Sequence, residues 1–246
     1  MVILDVKIDA ETSKQVSGII SAFLDSKEGH FVITPNPEII LYAHRHPEYR
    51  NILNKADLAL PDGVGLLWAS RIIGNPLKER VSGTDMVPEI CRLAREKGLK
   101  IGLLGGLNQT TIEKTAAIMR EWGNMVVYAT HGVPKKKWDN QASHDKIIHE
   151  LQTASPELLF VGFGHPKQEQ WIDEYRSRLP SVRLFMGCGG ALDFISGAAR
   201  RAPPWMRKIG FEWLWRLISE PARYRRIFAA VIIFPLTVIY DRFRKK

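Results

Sequence analysis

Short apolar runs alternate with longer stretches of helical period along the first 200 residues, and this alternation is the main structural signal in the sequence. Residues 2–8 alternate as a strand does, and Thr12 or Ser13 suits the cap of a helix running through Phe23 and Leu24. A buried strand is expected at 31–33, broken by Thr34-Pro35-Asn36-Pro37, followed by a helix from Glu38 that His46-Pro47 interrupts. A strand at 58–60 then runs into the elbow Pro61-Asp62-Gly63 and an apolar helix at 64–73. The pattern repeats with a helix at 86–97 stopped by Gly98, a strand at 100–104, a helix at 110–122 and a strand at 125–128. After a polar loop at 131–141 come a helix at 143–152, a strand at 158–161, a helix from Pro166 towards Arg178 and a strand at 182–186. Strands alternating with helices predict an α/β fold: a Rossmann-like, mainly parallel sheet with helices on both faces. At Arg200-Arg201-Ala202-Pro203-Pro204 the pattern changes, and two prolines mark a boundary. Residues 1–200 read as the body and 201–246 as a mostly helical, basic and aromatic appendage.

Charge sharpens that division. The 246 residues carry a formal net charge of +9, and residues 201–246 hold 11 Lys and Arg against 3 Asp and Glu. The body is therefore almost neutral, and the tail suits an anionic partner: membrane, phosphate or nucleic acid. Within the tail, IFAAVIIFPLTVIY at 227–240 is apolar, but it is only 14 residues long and is expected to be interrupted at Pro235. As a helix it would reach about 21 Å, against a hydrocarbon core of about 30 Å. An interfacial segment is expected, with Trp213, Trp215, Tyr224, Arg225 and the basic end 241–246 at an anionic surface. The competing reading is an ordinary core helix or an oligomer interface. Removing the tail is expected to leave a folded body. Cys91 and Cys188 make neither a disulfide framework nor a metal spacing, and read as free thiols of the cytosol. The opening MVILDVKIDAETS lacks a basic n-region and is not expected to be a signal peptide.

The candidate chemistry lies at strand ends, where open α/β sheets place their ligands. Pro61 fixes φ and Gly63 permits a tight turn, so Asp62 is expected on a stiff elbow; its alternative role is to N-cap the next helix. Three glycine-rich strand ends, at Gly105-Gly106, Gly162-Phe163-Gly164 and Gly187-Cys188-Gly189-Gly190, are able to approach phosphate, although any tight turn uses glycine. None is a dinucleotide fingerprint and no P-loop is present, which disfavours an oxidoreductase or a P-loop enzyme. Pro166 suits a first helical position, where free N–H groups and the helix dipole favour an anion. Gln168 both donates and accepts, as a sugar or uracil contact requires, while Lys167 and Glu169 also fit a solvated helix face. Thr34 and Asn36, between two prolines, suit hydroxyls and amides, or else a local turn. His44, His46, Asp57 and Asp62 have no metal-site spacing, and Asp-x-Asp is absent.

Together the motifs resemble the WecG/TagA/CpsF glycosyltransferases, glycosyltransferase family 26. The resemblance rests on Thr34-Pro-Asn36, Leu60-Pro-Asp62-Gly63-x-Gly65, Arg80-Val-x-Gly83-x-Asp85 and Gly162-x-Gly164-x-Pro166-Lys167-Gln168-Glu169. The fifth motif is the tail, Glu212-Trp-Leu-Trp-Arg216 with Glu220-Pro-x-Arg223-x-x-Arg226, so nearly the whole chain is covered in order. The resemblance implies an inverting enzyme of cell-surface polymer synthesis, peripheral on the cytoplasmic face of the membrane. It would move a sugar from a UDP-sugar to a lipid-pyrophosphate-linked sugar. In the teichoic-acid branch these are UDP-N-acetylmannosamine and undecaprenyl-pyrophosphate N-acetylglucosamine. Asp62 is then the expected base for the acceptor hydroxyl. Thr34, Asn36 and Gln168, with Gly105, Gly164 and Gly189, are expected donor contacts. Arg80 is expected to neutralise the leaving diphosphate, and Arg216, Arg223 and Arg226 to meet the acceptor's pyrophosphate. No metal or other cofactor is expected, nor a nucleic-acid partner; a homo-oligomer is compatible with the tail.

The alternative from another class is a non-catalytic nucleic-acid or membrane-binding module led by the basic tail. It leaves the polar strand-end loops of the neutral body without a purpose, and steep salt dependence of binding would mark it out.

Overall fold

A computed structural model describes residues 1–133 and 138–244, without the side chains of Lys208 and Arg223. Part of the loop expected at 131–141, and Lys245 and Lys246 of the basic end, lie outside the described residues. The strands are β1 (Val2–Ile3), β2 (Val6–Lys7), β3 (His30–Ile33), β4 (Leu58–Ala59), β5 (Lys100–Gly105), β6 (Met125–Thr130), β7 (Leu158–Gly162) and β8 (Leu184–Gly187). The chain forms two compact units: Met1–Ser13, Thr34–Ser82 and Arg200–Lys246 make the first, and Lys14–Ile33 with Gly83–Ala199 the second.

The second unit is the α/β sheet. Its strands run in the order β3-β8-β7-β5-β6, every neighbouring pair parallel. Registers such as Phe31 beside Phe185 and Leu103 beside Phe160 stack apolar side chains that are fully buried, as expected of a parallel sheet covered by helices. Helices Gly83–Glu96, Gln109–Glu121, Gln141–Ala154 and Lys167–Tyr175 alternate with these strands. Asn108 and Asn140 start two of them, each accepting a backbone N–H three residues on. Cys91 and Cys188 are free and buried here, and burial pushes the Cys91 thiol up to about 12.

The first unit gathers three separate stretches of sequence. Residues 2–8 are not one strand: Leu4 and Asp5 take positive φ, and β1 folds back antiparallel on β2 with Ile3 opposite Val6. Asn54 holds this hairpin, accepting from the Lys7 N–H and donating to the Asp5 carbonyl, both at 2.9 Å. Helix Pro37–Arg45 ends at His46, and Pro47–Asn54 follows, as the proline predicts.

The tail belongs to this unit. Glu212–Ser219 is helical, and helix Tyr224–Phe228 continues through a π-helical turn, Ala229–Ile233, into helix Phe234–Arg244. Pro235 therefore does not interrupt the segment. The wider turn ahead of it absorbs the missing N–H and the ring, so the helix re-forms around the proline. Phe234 is 0% exposed and lies 3.8 Å from the position a Gly65 Cβ would take. Ile227 and Val238 are buried too, so the tail completes the core of the first unit and its removal would open that core. Other tail side chains face outward, among them Phe228, Ile232, Leu236, Tyr240 and Phe243. Among the described residues, no helix is long and apolar enough to cross a membrane.

Candidate active site

Around Asp62 three sequence motifs meet through the backbone. The Asp62 N–H donates to the Pro35 carbonyl at 2.9 Å, and the Val81 N–H donates to the Pro61 carbonyl at 3.0 Å. Thr34-Pro35-Asn36, the Pro-Asp-Gly elbow and Arg80-Val81 are thereby locked side by side. Asp9 fixes the strand that leads into the elbow, accepting the Ala59 N–H at 2.7 Å.

Glycine is required twice here. Gly63 stands at φ 96°, and a Cβ on Gly65 would lie 2.7 Å from Cγ of Pro37. The Gly-x-Gly spacing thus lets helix Val64–Ile73 start directly against the Thr34–Pro37 loop. Asp62 is not the cap of that helix. Gly63 occupies the N-cap position, no side chain caps it, and the Asp62 carboxylate is left for other work.

Asp62 sits among charges from two parts of the chain. Desolvation pushes its pKa up from the usual carboxylate range; Arg80, Arg216 and Arg201 pull it down, and Glu212 adds to the rise. Glu212, at the start of the tail helix Glu212–Ser219, collects the arginines. Its Oε2 is 3.1 Å from Nη1 of Arg80, and its Oε1 lies 3.6 Å from Nη2 of Arg216 and 4.0 Å from Nε of Arg201. The Glu212 and Arg80 side chains are both only 17% exposed.

Thr34 is buried in the first unit, one residue before Pro35, whose carbonyl accepts the Asp62 N–H. Asn36 N-caps helix Pro37–Arg45, its Oδ1 accepting the Ile39 N–H at 3.0 Å, so the local-turn reading accounts for that oxygen. Arg226 pairs with Glu38 at 2.6 Å, whereas Arg216 reaches Glu212. Arg223 ends the short turn Pro221–Arg223, and its side chain lies outside the described residues.

Gln168 and the glycine loops sit in the second unit, and their atoms face inward. Gln168 is 2% exposed, and its Oε1 accepts from Gly164 at 3.1 Å and from Gly189 at 3.0 Å. Its Nε2 donates to Glu169 at 2.7 Å. Glu169 is 0% exposed, which replaces the solvated-face reading of that residue. Pro166 is the N-cap rather than the first helical residue, and the Gln168 N–H already bonds the Gly164 carbonyl, so this helix start is partly closed to an anion. A Cβ on Gly105 would fall 2.5 Å from the Gly162 carbonyl carbon, so Gly105 serves the close approach of β5 to β7. The N–H groups of Gly164 and Gly189 are thus both taken by Gln168 Oε1, which ties the two loops together.

Two residues of the first-unit site carried no role in the sequence reading: Glu212 and Arg201. The signal for Glu212 was its place four residues before Arg216.

A family model for the glycosyl transferase WecG/TagA/CpsF family matches residues 1–246. The chain belongs to the WecG/TagA/CpsF glycosyltransferase family. Relatives called N-acetylglucosaminyldiphosphoundecaprenol N-acetyl-beta-D-mannosaminyltransferase include one from Bacillus spizizenii, 33% identical over 89% of this chain and 83% of the relative. Another from Bacillus subtilis is 31% identical over 91% of this chain and 84% of its own length. One from Staphylococcus aureus is 31% identical over 92% and 87%. In this family member the elbow, the Arg80 segment and the tail form one cluster of charge around a desolvated carboxylate. Such a cluster suits proton abstraction beside an anionic leaving group.

Proposed function

We propose that this glycosyltransferase moves N-acetylmannosamine from a UDP-sugar to N-acetylglucosamine carried on undecaprenyl diphosphate, with inversion at the transferred carbon. The relatives' activity and their coverage support the acceptor. The observation that carries the chemistry is Asp62, desolvated on its elbow and faced by Arg80, Arg201 and Arg216. A carboxylate whose pKa is raised towards the working pH is a better base than an ordinary one. Asp62 takes the proton of the acceptor hydroxyl as that oxygen attacks the sugar, and Arg80 stabilises the diphosphate charge that develops on the leaving side.

The guanidinium cluster supplies the positive charge that a divalent ion supplies in other sugar-nucleotide chemistry, so transfer proceeds without added metal. The exposed apolar residues of the tail, with the exposed Arg225 and Arg244 on the same helical segment, suit a membrane interface on the cytoplasmic side. The test is a panel of UDP-sugars offered with a short-chain lipid-pyrophosphate N-acetylglucosamine acceptor. UDP-N-acetylmannosamine is expected to be used well above all others. Preference for another UDP-sugar would replace the donor, and no transfer from any would end the reading.

A further inference from the structure

Arg80 and Arg216 were expected to serve different diphosphates, one on the donor and one on the acceptor. In the first unit they reach the two oxygens of one carboxylate, with Arg201 near the same Oε1. We infer that Arg80, Arg201 and Arg216 form a single diphosphate seat, and that Glu212 occupies it as an internal stand-in until a diphosphate displaces it. This rests on the reading of Arg80 as a diphosphate ligand.

The distances carry the argument. Of the three contacts only Arg80, at 3.1 Å, is within hydrogen-bond reach; those to Arg216 and Arg201 are 3.6 and 4.0 Å. One carboxylate, with two oxygens and a single charge, gathers all three guanidiniums. A diphosphate has more oxygens and at least two charges, and guanidinium forks recognise carboxylate and phosphate with the same geometry. The seat also lies beside the base, since Arg80, Arg216 and Arg201 all act on Asp62. The carboxylate hangs on a flexible side chain at the first residue of its helix, so a rotamer change is enough to vacate the seat.

An internal competitor lowers apparent affinity by the fraction of time that it holds the site. Calorimetric titration of the full chain with inorganic pyrophosphate tests this. Glu212→Gln is expected to bind pyrophosphate about tenfold more tightly than the unaltered protein. Equal or weaker binding would overturn the stand-in role. Glu212→Asp, which keeps the charge but draws it back by one methylene, must shift in the same direction and serves where Glu212→Gln folds poorly. Arg201→Gln is expected to weaken binding about tenfold, as loss of one charged contact does; unchanged binding would remove Arg201 from the seat. Arg80→Gln separates the two levels. Unchanged pyrophosphate binding there defeats the diphosphate reading itself, whereas binding that needs Arg80 yet ignores Glu212→Gln defeats only the stand-in. Repeating the Glu212→Gln comparison with UDP and with farnesyl pyrophosphate identifies the source: the probe whose binding tightens is the one that uses the seat.

Discussion

Arg80 and Glu212 form an ion pair at 3.1 Å across 132 residues of sequence. The pair connects the segment after the Asp62 elbow to the first turn of the tail, within one compact unit. The tail is therefore part of how the Asp62 carboxylate is surrounded, besides carrying the exposed apolar face proposed to meet a membrane.

Replacing Arg80 separates its charge from its fork. Arg80→Ala is expected to lower kcat/KM by about 10²-fold or more, the scale of losing one electrostatic stabiliser of a developing charge. Arg80→Lys, which keeps the charge without the planar fork, is expected to recover part of that loss. The destabilisation should stay below the about 3–5 kcal/mol of a fully buried pair, because both side chains keep some solvent access. Steady-state kinetics and thermal melts of the two variants check both statements.

Asp62 should weaken the fold at neutral pH while serving catalysis. Its folded pKa lies above the unfolded value, so the folded state holds a proton that the unfolded chain has already released. Its contribution to stability is present below about pH 4, the ordinary Asp range, and is lost as the pH rises through the folded pKa. Asp62→Asn cannot lose that proton, and is expected to melt at a higher temperature than the unaltered protein at neutral pH, with the gap closing towards acid. Melts across pH measure this; a lower melting temperature at neutral pH would contradict the desolvation.

The tail should respond differently on its two faces. Phe234→Ala removes a fully buried ring from the core of the first unit and is expected to cost about 3–5 kcal/mol of stability. Leu236→Ser, at a side chain 61% exposed, is expected to leave the melt almost unchanged but to reduce sedimentation with anionic liposomes. Liposome binding equal to that of the unaltered protein, both for Leu236→Ser and for a triple variant with Phe228→Ser and Phe243→Ser added, would remove the membrane role.

Much of the fold could be read in the sequence because period is a local property. The strands β3, β5, β7 and β8 and their helices appear where apolar runs and Asn, Gly and Pro signals place them. The misreadings have local causes as well. Leu4 and Asp5 adopt positive φ without a glycine to announce it, so one strand becomes a hairpin. Pro235 is read as a break because the π-helical turn that absorbs it leaves no mark in the sequence. The Asp62 elbow was legible from Pro61, Gly63 and Gly65. Of its partners in the tail, Arg216 was expected through the family resemblance, whereas Glu212 and Arg201 were not, since no periodicity links Arg80 to Glu212. Gln168 showed the right chemistry, but its Oε1 accepts from Gly164 and Gly189 and its Nε2 donates to Glu169, internal bonds that only the packed structure reveals.

Metal dependence is expected to be absent. Activity after exhaustive EDTA treatment and gel filtration should match that of untreated enzyme, with the diphosphate charge met by the arginines. Complete loss restored by Mg²⁺ or Mn²⁺ would assign that charge to an ion instead.

The central claim is that Asp62 is the base of a UDP-sugar transfer to a lipid diphosphate acceptor. Its most direct test is the turnover of Asp62→Asn with UDP-N-acetylmannosamine and an undecaprenyl-diphosphate N-acetylglucosamine analogue, alongside UDP binding by calorimetry. A fall in kcat of about 10²–10⁴-fold is expected, with UDP affinity retained. Turnover near that of the unaltered enzyme would contradict it.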